Sequence, residues 1–330
     1  MLTVQNLRKK YGDHEVVKGI NFSVEEGEVF GLLGPNGAGK TQTISMLTGV
    51  IEPTEGTAVI GGYDIKTQMN EVKKINGLVP QDLALYPTLS ARANLNFFGR
   101  IYGLHGKELK ERVEDVLHIV SLTDRADEAV EKYSGGMKRR VNIAAGLVHH
   151  PRLFFLDEPT VGVDPQSRNH IFESVQRLNR ERGMSIVYTS HYMEEVELLC
   201  NRVAIIDEGR IIAMDTIKNL IAMLGGGIIQ IGLPAANQKL LNELTALPAV
   251  QDACVDTPPA RPTGETEPEE AEVVTREGVV VKIMTKNTQH AIVNVIDYLN
   301  EKDLNLLSLN ILEPNLETVF LHLTGKKLRE

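Results

Sequence analysis

Tryptophan is absent from the 330-residue chain, cysteine occurs twice, and aromatic residues make up 5% of it. Cys200 and Cys254 lie too far apart to suggest a metal-ligand spacing and are too few for a disulfide framework, so both read as ordinary buried thiols. No run approaches the roughly 20 consecutive apolar residues that a spanning helix requires. The opening MLTVQNLRKK lacks the apolar centre of a signal peptide, so the expected location is the cytosol. Positive charge is also short: the formal net charge is -9, which argues against a chain that grips nucleic acid through its whole surface. From residue 225 onward 9 Lys+Arg face 15 Asp+Glu, so most of the acidity belongs to that end. What is present is globular composition, 42% hydrophobic and 24% charged. At roughly 100 to 200 residues per domain, the length predicts about two domains.

The first two hundred residues alternate short apolar runs with helix-like segments, the pattern of an α/β protein. VFGLLG, LFFLD, SIVYTS and RVAIID read as buried strands, each short and bounded by polar or turn residues. The opening TVQNLRKKYGDHEVVKGINFSVEEGE alternates instead, as in an antiparallel sheet. Residues 82 to about 150 read as a helical subdomain interrupting the sheet. Residues 1–224 form the expected first domain, and Gly225, Gly226 and Gly227 a flexible join. Residues 225–330 then read β-α-β-β-α-β, the split unit of a small α+β ferredoxin-like domain, with a terminal helix. Its middle strands are joined by the Pro- and Glu-rich TPPARPTGETEPEEAE, an expected solvated acidic loop over 257–272.

Gly34, Gly39, Lys40 and Thr41 satisfy G-x-x-x-x-G-K-[ST] between an apolar strand and a helix-like run. In such a P-loop, the backbone of Asn36, Gly37 and Ala38 curls so that N–H groups face phosphate oxygens, and the helix N-terminus adds its positive dipole end. Lys40 reaches the outer phosphates, and the Thr41 hydroxyl is a hard ligand for Mg²⁺. In LFFLDEP, Asp157 and Glu158 stand at the end of the apolar strand, where side chains emerge toward the ligand crevice. Asp157 suits the Mg²⁺ shell, and Glu158 suits polarising a water. YSGGM, with Ser134, Gly135 and Gly136, offers a second helix N-terminus to an anion.

This ordered set resembles the ATP-binding subunit of ABC transporters over about residues 1 to 220. GPNGAGKT looks like that family's Walker A, LFFLDEP its Walker B and YSGGM its signature. Gln81 in LVPQD resembles the Q-loop glutamine, Asp164 in TVGVDP the D-loop aspartate, and His191 in YTSHYMEEVE the switch histidine. The resemblance implies ATP and Mg²⁺ as ligands, with Gln81, Glu158 and His191 catalytic and Gln81 joining Thr41 and Asp157 at the metal. It further implies that Tyr11 lies against adenine; a lone tyrosine is otherwise most often a half-buried core residue. Tyr133 and Met137 depart from the family's usual leucine and glutamine, and Gln42 stands where a short side chain is usual. TVGVDPQSR and the C-terminal ILEPNLETVFLHLTGKKLRE resemble the branch that exports drugs, lipids, polysaccharides or ions.

A protein of this family implies a homodimer holding two composite ATP sites, each P-loop facing the partner's Ser134 turn. It also implies a separately encoded transmembrane permease on whose cytoplasmic side the chain sits, and no nucleic acid. The rival reading is a soluble, non-transport ABC ATPase acting on a ribosome or DNA. The single P-loop and the lack of a sustained heptad run weigh against it.

Overall fold

The apolar runs VFGLL, LFFLD and SIVYTS form strands buried along their whole length, as a parallel sheet covered on both faces requires. The computed structural model describes residues 1–224, 226–255, 279–312 and 314–324. The chain divides into two units, Met1–Ile217 and a second that begins at Lys218. The expected acidic loop over 257–272 lies outside the described residues.

In the first unit the order is β1 (Leu2–Tyr11), β2 (His14–Val24), β3 (Val29–Leu33), α1 (Lys40–Leu47), β4 (Glu55–Ile60), β5 (Tyr63–Asp64) and α2 (Met69–Ile75). There follow β6 (Asn76–Val79), α3 (Ala91–Ile101), α4 (Gly106–Ile119), α5 (Gly135–Leu147), β7 (Leu153–Asp157) and α6 (Pro165–Arg182). β8 (Ser185–Ser190), α7 (Met193–Leu199), β9 (Arg202–Asp207) and β10 (Arg210–Thr216) complete it. The alternating N-terminal segment does form an antiparallel sheet, ordered β2-β1-β4-β5. A second sheet runs β10-β9-β3-β8-β7-β6, parallel from β9 to β6 and closed by antiparallel β10. Leu2, Val4, Leu7 and Phe22 of the first sheet share one core with Phe30 and Leu32 of the second and with Ile44 and Leu47 of α1. Each such side chain contributes about 1.5–3 kcal/mol on burial.

The parallel register has one decisive result. β3, β6, β7 and β8 all end on the same edge of the sheet, so the segments that follow them, around Gly34, Gln81, Glu158 and His191, emerge together. The expected helical interruption is α3 to α5, which lie between β6 and β7.

α8 (Ile217–Ala222) stands at the division, followed by β11 (Ile228–Leu233), α9 (Gln238–Thr245), β12 (Val250–Val255), β13 (Val279–Thr285), α10 (Thr288–Glu301), β14 (Ser308–Leu312) and α11 (Leu316–Thr324). The fully antiparallel order β12-β13-β11-β14 is that of the expected ferredoxin-like unit. Leu240, Leu241 and Leu244 of α9 and Val295 and Leu299 of α10 pack on Ile229, Ile231, Val281 and Ile283. β14 starts at Ser308 rather than at the expected Leu304, because Leu304 and Leu306 first pack against this core. Gly227, expected in a flexible join, is bonded into the unit: its N–H donates to Thr288 Oγ1 at 2.7 Å and its carbonyl accepts from Thr285. Cys200 is buried as expected, and Cys254 is only half-buried.

Candidate active site

The loop after β3 turns through Gly37 and Gly39 at φ of +80° and +104°, a conformation that a β-carbon would strain. Gly39 thereby becomes the N-cap of α1, so the helix axis begins at the loop. A cavity of about 440 Å³ opens there, lined by Asn36, Gly37, Gly39, Lys40, Thr41, Gln42, Gln81, Glu158 and His191, together with Val16 and Val161. Nine residues singled out from sequence thus share one wall. Gly34 and Ala38 lie outside this lining; the Gly34 carbonyl accepts from Lys40 Nζ at 2.7 Å.

Lys40 is 4% exposed, and its ammonium has three acceptors: the carbonyls of Gly34 and Pro35 and, at 3.0 Å, Glu158 Oε1. Glu158 is 5% exposed and takes φ +45°. Its other oxygen accepts from Gln81 Nε2 at 3.4 Å and lies 3.3 Å from His191 Nδ1. That histidine nitrogen is buried without an aligned hydrogen bond, so its contact with Glu158 is one of proximity and charge. The adjacent carboxyl has separate partners. Asp157 accepts from the hydroxyls of Thr189, at 2.7 Å, and Thr41. Burial lifts the Asp157 carboxyl above its ordinary range, the two hydroxyls and Lys40 oppose that rise, and the charge of Glu158 adds to it.

Among the described residues no group of three or more His, Cys, Asp or Glu side chains could cage a metal. One carboxylate paired with a hydroxyl, beside a polyanion cradle, is the donor set that fits Mg²⁺, which takes few protein ligands and completes its shell with water and phosphate oxygens.

Ser134, Gly135, Gly136 and Asp164 are not part of that cavity lining. They form a second group. Ser134 caps α5 by accepting from Met137 N–H at 3.2 Å, and Asp164 caps α6 by accepting from Ser167 N–H at 2.9 Å. A β-carbon at Gly136 would fall 2.0 Å from Ser167 Oγ, so the two caps pack together only through glycine. The bonds from Ser167 hold the Asp164 carboxyl below its ordinary range. The two signature departures share one partner: Arg125 lies over the Tyr133 ring at 5.6 Å, accepts the Tyr133 hydroxyl on its carbonyl, and reaches Met137 Sδ at 3.5 Å.

Tyr11 is 50% exposed, which removes the core-residue reading. Its hydroxyl donates to Gln42 Oε1 at 2.8 Å, giving Gln42 a partner that the local sequence does not suggest.

Sequence reasoning missed Thr189 and Arg139. Thr189 donates to Asp157 and accepts from the N–H of Glu158 at 2.9 Å, fixing both acids to β8; a hydroxyl inside the apolar run SIVYTS is the signal that could have found it. Arg139, buried on α5, donates to the carbonyls of Pro80 at 3.0 Å and Gln81 at 2.6 Å and so holds the Gln81 loop. Nothing local in KRRV marks that contact.

Residues 17–161 match the ABC transporter family. The chain is 48% identical to the linearmycin resistance ATP-binding protein LnrL of Bacillus subtilis over the whole of both chains. It is 35% identical to a Nod factor export ATP-binding protein of Ralstonia nicotianae, covering 100% of this chain and 95% of that one. A solved dimeric ATP-binding cassette, in a post-hydrolysis state bound to ADP and Pi, superimposes with a TM-score of 0.60 at 26% identity, covering 66% of this chain and 98% of that one. These likenesses favour transport over the ribosome or DNA reading. The chain belongs to the ATP-hydrolysing ATP-binding subunits of ABC transporters, in their exporter branch.

Proposed function

We propose that two copies of this chain close head to tail around two ATP·Mg²⁺ and drive a separately encoded transmembrane permease from its cytoplasmic side. One observation carries the reading: the P-loop, Gln81, Glu158 and His191 line one cavity, while the capped Ser134 turn, a second anion-ready helix start, is not in its lining. A second copy gives that turn a phosphate to meet. Among the described residues no helix is long and apolar enough to cross a membrane, so translocation falls to another subunit. Residues 1–224 act as the ATPase domain and 225–330 as an appended domain.

Each side chain then has a task. Backbone N–H groups of the Gly34 to Gly39 loop and the start of α1 orient the phosphates. Lys40 carries the compensating charge, and the Tyr11–Gln42 pair offers a ring to the adenine. Thr41, Asp157 and Gln81 would hold Mg²⁺, which would supply charge neutralisation toward the phosphates. Entry of a polyanion competes with Glu158 for Lys40, leaving the carboxylate to accept a proton from the attacking water. His191 contacts the terminal phosphate and senses its loss. Ser134 and Gly136 of one protomer meet the nucleotide held by its partner.

Mixing two inactive variants tests the shared site. Lys40→Ala and Ser134→Arg are each expected to lack turnover. Together they should regain it, because the mixed dimer holds one site with both parts intact. A mixture as inactive as its components overturns the composite site. Copurification of the chain with a polytopic membrane protein tests the permease.

A further inference from the structure

A buried acid outside the cavity has no part in the chemistry above. Glu195 on α7 is 3% exposed, and its carboxylate collects three hydroxyl donors. Thr160 Oγ1 lies 2.7 and 2.9 Å from its two oxygens, Tyr188 Oη 2.9 Å and Ser190 Oγ 3.0 Å from Oε2. These donors come from the two segments that carry the reacting groups. Thr160 follows Glu158 by two residues, and Ser190 immediately precedes His191. Ser190 Oγ also accepts the N–H of Tyr192 at 2.9 Å, so it pins the far side of the histidine turn. The Tyr192 ring lies against His191 with centroids 4.0 Å apart, and Arg168 of α6 sits over Tyr192 at 5.5 Å with its Nε 3.8 Å from Glu195. Burial keeps the Tyr188 hydroxyl protonated and therefore a donor.

We propose that Glu195 is a positioning residue for hydrolysis: its carboxylate clamps the Glu158 segment to the His191 turn, setting the spacing of base and phosphate sensor. The proposal rests on the roles given above to Glu158 and His191. An ionised carboxylate is acceptor-only and takes all three hydroxyls at once; an amide presents donors to part of that ring. A shift of an ångström between reacting groups is worth about 100-fold in rate. None of Thr160, Tyr188, Ser190 and Glu195 lines the nucleotide cavity, so binding should be spared.

Thr160→Val removes one clamp donor at nearly constant volume. It should lower kcat about tenfold while KM for ATP stays within about twofold. Thr160→Ser keeps the hydroxyl and should restore kcat to within about twofold of the parent. Glu195→Gln should follow Thr160→Val. Full turnover in Thr160→Val overturns the clamp, as does equal loss in Thr160→Ser and Thr160→Val, since that makes the methyl packing decisive. Glu158→Gln, measured alongside, separates the two readings: if it too hydrolyses normally, the site assignment fails and the clamp with it. If Glu158→Gln is inactive while Thr160→Val is unimpaired, only the clamp fails.

Discussion

The two units bury their polar groups differently. Among the described residues, every buried charged side chain lies in the first: Glu28, Lys40, Arg139, Asp157, Glu158 and Glu195. In the second, the buried polar side chains are hydroxyls, Thr285 and Thr318, beside a core of Leu, Ile, Val and Ala. Desolvating a charge is unfavourable unless partners replace the water, and the first unit meets that demand with ion pairs, carbonyls and hydroxyl donors: Glu28 pairs with Arg202 where β3 and β9 begin, and the others gather toward the opposite sheet edge, where β3, β6, β7 and β8 end. The second unit shows the simpler solution, a scaffold held by apolar packing. Chemistry resides where the expensive groups are.

The sharpest way to break this contrast is Glu158→Gln, which should reduce phosphate release about 10²- to 10⁴-fold. Equilibrium binding should still show ATP bound, and the nucleotide-loaded protein should run as a dimer in light scattering. Undiminished release removes Glu158 from the base role. Next in size is Leu244→Ala, fully buried in the second unit, expected to destabilise that unit by about 2–5 kcal/mol in denaturant unfolding. ATP affinity should not change; a shift in affinity would mean that the second unit is more than a scaffold for its own fold.

Asp157→Asn addresses the charges directly. Because burial raises the folded carboxyl above its ordinary value of 3.8, its ionised form opposes folding at neutral pH, and that penalty disappears once both folded and unfolded forms are protonated. The asparagine variant without nucleotide should therefore melt above the parent at pH 7. The gap should close as pH falls through the folded pKa toward the ordinary value. A melting difference independent of pH would place the effect in packing. Smallest is the exposed pair: Tyr11→Ala should weaken ATP binding about 2- to 10-fold, with Tyr11→Phe retaining most of it because the ring remains. Equal losses in calorimetry would shift the weight to the hydroxyl bond with Gln42.

The sheet edge was readable because its parts are local: an apolar run, a glycine loop, a pair of acids. Strand runs such as VFGLL announce burial on both faces, and parallel pairing then does the gathering. The β-α-β-β-α-β order of the second unit was legible for the same reason. What stayed hidden depends on contacts between distant segments. Gln42 made no sense until Tyr11, across the loop, proved to be its partner. Tyr133 and Met137 looked like unrelated departures until Arg125 joined them. Arg139 and Glu195 sit in charged runs, KRR and MEEVE, whose neighbours face solvent or other partners, and only the folded register tells which member of each run turns inward. The short β5 and α2 carry too few residues for a period to declare itself.

Glu158 holds a left-handed backbone that only glycine adopts freely, at an expense of order 1–3 kcal/mol for any other residue. Glycine there would relieve that strain but leave the Lys40 ammonium buried without its carboxylate, at about 3–5 kcal/mol. An engineer who optimised this protein for heat resistance alone would therefore find the position closed to glycine. The ion pair that readies the base also guards it against loss in a thermal screen.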